Sequence, residues 1–222
     1  MQFLRKNWYY VAAVIFVALA AVLAVFWNDI SMLRKLMIMS YMAVMFHQFE
    51  EYCWPGGFPA IYNIVFRPVG DRPDRCPLNR HSVIVTNVFV AWAHYVLPII
   101  FPHIIWLGFA PVLFGMAQIG FHGIIVNKKM RSLYNPGLVS VVFVHWPLGV
   151  YYIWYVVTNG LAHWWDWPLG VVYMVATLVF GVSLPVTRWL KDENSPYAFS
   201  EQEMARFHVR DKMERLRSVG VI

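Results

Sequence analysis

A histidine and two glutamates, His47, Glu50 and Glu51, have the clearest chemical potential in this sequence. Spacings of three and four residues place all three side chains on one face of a helix, within an arc of about 100°. They end a hydrophobic run, where ionisable groups are costly and usually functional. The pattern therefore predicts a metal site or an acid–base site inside or beside a membrane. The structural alternative is a polar cluster that anchors a helix end.

The composition is that of a polytopic membrane protein. Of the 222 residues 59% are apolar and 14% are charged, which is too apolar for a soluble domain of this size. The 11 Trp and 12 Tyr fit aromatic belts at the membrane surfaces. The two cysteines are too few for a disulfide scaffold. The net charge of +6 is distributed as in an oriented membrane protein, so we expect no nucleic-acid partner.

Six apolar runs each approach the ~20 residues that cross a bilayer. Of the 18 lysines and arginines, only Arg34 and Lys35 fall on the side opposite the chain ends. The positive-inside rule then places both termini in the cytoplasm. We therefore expect an all-α bundle of six transmembrane helices. The spans are Trp8–Trp27, Leu36–Cys53, Ser82–Phe101, Ile104–Val126, Gly137–Val157 and Trp167–Val186.

Two segments outside the spans have their own patterns. The Pro-, Gly- and Arg-rich stretch 55–81 predicts a re-entrant or surface loop within a transmembrane domain of residues 1–186. Residues 187–222 predict a cytoplasmic amphipathic tail, in which Ser200 and Glu203 have capping-box spacing before a helix. The first span resembles a signal peptide in its basic start, but its long apolar run predicts a retained helix.

Most polar residues of the other spans fall at the depth of the His/Glu/Glu group, in the cytoplasmic third of the bundle, and His94 lies deeper. The candidate catalytic residues are Glu50, Glu51, His47 and Asn87, with a glutamate as general base and the asparagine stabilising developing negative charge. The candidate ligands of a divalent metal, zinc or iron, are His47, Glu50 and His122. The candidate substrate-binding residues are Asn135, Gln118 and His94. The structural alternative for Asn87, His94 and His122 is a hydrogen bond between helices, and for His47 and Glu50 it is a hydrogen bond on the helix surface. For Glu51 it is a snorkelling side chain at the interface, and for Asn135 a cap of the fifth span.

Two sequence motifs resemble one family. His47-Gln48-Phe49-Glu50-Glu51-Tyr52 and the later Tyr134-Asn135-Pro136-Gly137-Leu138-Val139 are similar to the motifs of the HXXEE-motif integral membrane proteins. The resemblance covers about residues 36–186. It implies a shared membrane fold and a shared polar site, and it implies no established reaction.

Three functions follow as hypotheses. The first is a membrane-embedded hydrolase or lyase that acts on a lipid or other apolar small molecule. The second is a metal-dependent oxidoreductase such as a lipid hydroxylase, although the His-rich clusters of that class are missing from the sequence. The third is a proton- or metal-coupled transporter. Membrane lipids are expected partners, and the sequence leaves homo-oligomerisation open.

Overall fold

The computed structural model describes residues 2–220, and over that range it is helical with no strand. The all-α prediction is therefore confirmed. Over this range there are six long helices, with a short helix between the second and the third and two short helices after the sixth. They are α1 (Gln2–Val25), α2 (Met32–Tyr52), α3 (Phe58–Ala60, continued by Ile61–Phe66), α4 (Arg80–Ile100), α5 (Ile105–Met130), α6 (Leu138–Thr158), α7 (Asp166–Trp189), α8 (Glu201–Ala205) and α9 (Val209–Ser218).

Within residues 2–220, five helices are long and apolar enough to cross a membrane: α1, α4, α5, α6 and α7. This is the pattern of an integral membrane protein. Helix α2 has 21 residues, enough for about 30 Å, but its ends carry four charged residues. They are Arg34, Lys35, Glu50 and Glu51. The crossing of α2, and with it the count of six spans, stays a prediction.

Helix α2 lies at the centre of the bundle, against α1, α4, α5 and α6. Its Leu36 and Met37 pack with Phe109 of α5, and its Tyr41 packs with Tyr95 of α4. Lipid chains are as apolar as these side chains, so van der Waals packing and hydrogen bonds hold such helices together. A central helix has little contact with lipid, which explains how α2 tolerates its ionisable residues.

The helix starts agree with local sequence signals. Ser31 caps α2 by accepting a hydrogen bond from the Arg34 amide, and Asn79 forms a capping box with Ser82 at the start of α4. The capping box predicted at Ser200 and Glu203 is confirmed. Each box satisfies amides that have no partner inside the helix.

The chain after α7 packs back onto the bundle. Arg5 of α1 lies 4.1 Å from the centroid of the Tyr197 ring, and the Phe199 amide donates to the Asp74 carbonyl. Arg206 donates to the Tyr52 carbonyl at the end of α2. The start of α1, the loop 53–79 and the tail 190–220 thus meet at one end of the bundle, together with the loop 131–137. We call it the motif end, because both sequence motifs lie there.

The long helices contain wide π-helical turns where they approach the motif end. These turns span Ile84–Ala91 in α4, Ile119–Val126 in α5 and Val141–His145 in α6. Turns of this kind are uncommon in proteins as a whole, and many of those known lie at functional sites. Here they carry Asn87 and His122, two of the residues that the sequence indicates.

Candidate functional site

Three buried side chains, His47, Glu51 and His122, converge between α2 and α5 at the motif end. The Oε1 atom of Glu51 lies 3.6 Å from Nε2 of His47 and 3.4 Å from Nε2 of His122. One donor atom from each residue falls within 4.8 Å of the other two. The three side chains are 4%, 7% and 1% exposed, in chain order. The spacing of His47 and Glu51 on α2 puts both on one face, and α5 supplies the third member.

The hydrogen bonds of Asn135 fix the orientation of the His122 ring. The Asn135 amide nitrogen donates to the His122 carbonyl and to Asn127 Oδ1, each at 2.7 Å. Its Oδ1 atom therefore faces His122 Nδ1, at 2.7 Å. Because Oδ1 only accepts hydrogen bonds, Nδ1 of His122 must carry the proton. In the neutral ring the lone pair is then on Nε2, the atom that faces Glu51.

Ser140 and Gly137 fix the orientation of the His47 ring in a similar way. The Ser140 hydroxyl donates to the Gly137 carbonyl at 2.8 Å. His47 Nδ1 lies 2.9 Å from that hydroxyl oxygen and 3.2 Å from the same carbonyl. Both oxygens accept, so His47 also carries its proton on Nδ1 and directs the Nε2 lone pair towards Glu51.

The centre of the cluster holds acceptors only. Neither Nε2 atom has a hydrogen-bond partner among the described residues. Two lone pairs and a carboxylate oxygen facing one another in a buried space repel, unless a cation or a shared proton lies between them. Histidine rings held by an oxygen on their far nitrogen are the usual arrangement of histidine metal ligands.

Glu50, the other glutamate of the motif, points to the start of α6 instead. Its Oε1 atom accepts from the Tyr134 hydroxyl at 3.0 Å and from the Val139 amide at 3.2 Å. Its Oε2 atom accepts from the Ser140 amide at 2.9 Å. A carboxylate at a helix N-terminus satisfies free amides and complements the helix dipole. Burial raises the pKa of the Tyr134 phenol, and the nearby Glu50 charge raises it further.

The predicted ligand set was His47, Glu50 and His122. The structure brings the two histidines together but leaves Glu50 outside their group, and Glu51 occupies that place. The physical reason is the rotation of about 100° per residue along a helix. Adjacent residues face different neighbours, so Glu51 meets α5 while Glu50 meets the start of α6.

Gly137 allows the close contact between the two motifs. Its φ is +106°, a left-handed conformation that favours glycine. A Cβ atom there would lie 2.8 Å from Nδ1 and 2.9 Å from Nε2 of His122. The second motif therefore needs a glycine at this position both for its turn and for the space that the histidine ring takes.

Asn87 is held by Gln48, the second residue of the first motif. The Gln48 amide nitrogen lies 3.2 Å from both the carbonyl and the side-chain oxygen of Asn87, and its own oxygen accepts from Trp92 at 3.1 Å. These bonds join α2 to α4. Asn87 also lines the cavity described next, so it stays a candidate for stabilising negative charge that develops on a substrate.

A cavity of about 430 Å³ opens beside the cluster. Small-molecule sites usually fall in the range of roughly 300–1,000 Å³. Residues of α2, α3, α4, α5 and α7 form its walls, and most of them are apolar. Glu51 and His122 lie on its wall, as do Gln118 and His47. The cluster therefore faces a space that a small apolar molecule would fit.

Other predicted residues lie in different places. Asn135 is fully buried behind His122 and orients its ring without lining the cavity. His94 bonds to Thr177 of α7 at 3.2 Å and packs on Tyr173, and it is not among the cavity residues. His145 is nearer the cluster, with its ring centroid 5.7 Å from that of His47.

Sequence reasoning missed three residues that build the site, namely Ser140, Tyr134 and Gln48. Tyr134 and Gln48 belong to the two motifs, so their position beside the charged residues was the available signal. Ser140 gave no signal, because a lone serine at the start of a helix is common.

With the two motifs folded onto each other, the family can be stated. A family model described as "Protein of unknown function with HXXEE motif" matches residues 38–152. The chain belongs to this HXXEE family. The matched range contains all three members of the cluster, as well as Glu50, Asn135 and Gly137. A comparison with curated proteins and one with solved structures found no match.

Proposed function

We propose that this HXXEE protein is a metal-dependent membrane enzyme that hydrolyses an apolar substrate. The observation that carries the proposal is the cluster of His47, Glu51 and His122, in which two histidine lone pairs and one carboxylate oxygen converge on the wall of an apolar cavity. Two histidines and a glutamate, with one position left for water or substrate, form a known type of catalytic zinc site.

The chemistry requires three protein ligands and an open side. A divalent metal in such a site makes a bound water molecule a nucleophile at neutral pH and polarises the bond that it attacks. His47 and His122 would hold the metal through Nε2, because Ser140 and Asn135 fix their tautomers. Gln118 and Asn87, which also line the cavity, would donate hydrogen bonds to the reacting group.

Glu50 has a positioning role in this proposal. Its three hydrogen bonds hold the start of α6, which carries the Ser140 and Gly137 oxygens that orient His47. Glu50 would therefore act on the metal only indirectly, through the oxygens that orient His47.

A second function is favoured by the same donor set. Two histidines and one carboxylate also hold iron(II) in non-haem oxygenases, so an iron-dependent oxidoreductase acting on the same apolar substrate is the alternative. The identity of the metal separates the two functions, because zinc has no redox chemistry.

The test is elemental analysis of the protein purified without chelator. We expect about one equivalent of metal in the wild type and none in His47→Ala, His122→Ala or Glu51→Gln. The matched control is His94→Ala, which removes a buried histidine outside the cluster and should retain the metal. Zinc would support hydrolysis and iron would support oxidation.

An activity assay completes the test. Chromogenic esters with graded alkyl chains should be hydrolysed by the zinc-loaded protein, and a chelator should abolish turnover until zinc is restored. A folded wild type that stays metal-free after incubation with zinc, iron and manganese would refute the proposal.

A further inference from the structure

The cavity has a polar end and an apolar end. Near the motif end its wall holds Glu51, His122 and Asn87, whereas Phe114 and Met174 line the deeper part. Along α7 the wall runs from residue 174 to residue 186, which corresponds to about 18 Å at the rise of a helix. A space lined along several turns of α7, with polarity at one end, is complementary to an amphiphile.

The wall formed by α7 is also a surface of the molecule. Leu178 and Val179 line the cavity, yet they are 44% and 37% exposed. In a transmembrane helix, exposed apolar side chains face lipid chains. A molecule already in the bilayer therefore has a short lateral route to the cavity. The volume of about 430 Å³ lies towards the lower end of the roughly 300–1,000 Å³ range of small-molecule sites, which favours one hydrocarbon chain over two.

Arg67 is the basic residue on the cavity wall. Its guanidinium carbon lies 5.2 Å from the centroid of the Phe66 ring, and the Lys129 ammonium lies 5.8 Å from the same ring. Lys129 also donates to the carbonyls of Val65 and Phe66. Arg67 therefore lies where the cavity reaches the motif end, and Lys129 of α5, which does not line the cavity, adds a second positive charge nearby. Arginine forks favour carboxylates and phosphates.

We infer that the ligand of this cavity is a single-chain amphiphile with an anionic headgroup, bound with its head at Arg67 and its chain along α7. This inference names the substrate class for the proposed function and rests on it. The bond to be hydrolysed would be an ester, amide or phosphate-ester bond that joins the head to the chain, beside Glu51, and water would divide it to release the two parts. A plain fatty acid lacks such a bond and therefore reports binding alone. A carboxylate and a phosphate head have the same chemistry towards Arg67, so both belong to the class.

The test measures binding without turnover and without metal. The protein, treated with chelator, is placed in nanodiscs of zwitterionic phosphatidylcholine and titrated with a fluorescent long-chain polyene fatty acid, with empty nanodiscs as the baseline. We expect saturable binding that an alkyl phosphate of equal chain length displaces. An alkanol of equal chain length should displace it about tenfold less well, as the loss of a charge-assisted hydrogen bond predicts.

Two variants and one control locate the ligand. Arg67→Gln should weaken fatty-acid binding about tenfold while leaving alkanol binding unchanged. Leu178→Trp should block binding of both. Arg72→Gln, in the same loop but outside the cavity wall, should bind as the wild type does.

The outcomes separate this inference from the proposed function. Equal displacement by alkanol and alkyl phosphate, with no effect of Arg67→Gln, would overturn the anionic head. Displacement by two-chain phosphatidic acid as strong as that by the alkyl phosphate would overturn the single chain. If the fatty acid did not bind, the inference would be overturned even if the protein held zinc. If the fatty acid bound to a protein that never takes up a metal, the inference would stand and the proposed function would fail.

Discussion

The adjacent glutamates Glu50 and Glu51 provide a sharp test, because the structure gives them different roles. We expect Glu51→Gln to lose the metal and to keep its fold. Among the described residues, the ionic partners of the Glu51 carboxylate are the Nε2 atoms of His47 and His122. We expect Glu50→Gln to lose stability and to retain a metal while it is folded. The two variants make the same chemical change one residue apart, so each is the control for the other.

The magnitude for Glu50→Gln follows from its hydrogen bonds. A glutamine oxygen in the Oε1 position would still accept from Tyr134 and Val139, but the amide nitrogen would then face the Ser140 N–H, which also donates. Losing one hydrogen bond to a charged group costs about 1.5–3 kcal/mol. Removing a charge from a helix N-terminus costs about 0.3–1 kcal/mol more. The free energy of unfolding should therefore fall by about 2–4 kcal/mol.

The assay combines thermal unfolding with elemental analysis. At roughly 2–4 °C per kcal/mol for a chain of this size, Tm of Glu50→Gln should fall by about 5–15 °C when tryptophan fluorescence is followed. Glu51→Gln should unfold within a few degrees of the metal-free wild type. A Glu50→Gln protein that is metal-free with an unchanged Tm, beside a Glu51→Gln protein that holds metal, would refute the assignment of roles.

Three further predictions concern two residues that contact the His122 ring and one cysteine in the loop 53–79. Asn135→Leu removes the acceptor for His122 Nδ1 and should weaken zinc affinity about 10–100-fold, as measured by competition with a chromophoric chelator. An unchanged affinity would contradict the assignment of the His122 tautomer. Gly137→Ala should destabilise the fold by at least about 2 kcal/mol in thermal unfolding, because a left-handed alanine costs roughly 1–2 kcal/mol and its Cβ would also clash with the His122 ring. The control is Gly160→Ala, at a left-handed position in open space, which should lose only the backbone contribution. Cys76 is 0% exposed, and burial raises the pKa of its thiol. Mass spectrometry should therefore find iodoacetamide on Cys76 only after denaturation. Rapid labelling of the native protein would contradict the packing of this loop.

Local patterns in the sequence determined the helices. Apolar runs of about 20 residues have few structures available to them in lipid other than the helix, and all six predicted spans fall on long helices. The capping box at Ser200 and Glu203 was readable because it depends on residues three apart in the chain. The spacing of His47 and Glu51 likewise fixed them on one face of α2.

Only the tertiary structure decided which residues share a site. Glu50 and Glu51 are chemically identical neighbours, and their roles depend on which helix packs on each side of α2. The sequence placed His94 and His122 on the correct helices, but it did not contain the rotation that turns His122 towards Glu51 and His94 towards Thr177. Helix formation depends on neighbours along the chain. Which faces of two helices meet depends on contacts between residues far apart in the sequence, such as His47 and Ser140, 93 positions apart, and no local pattern encodes such contacts.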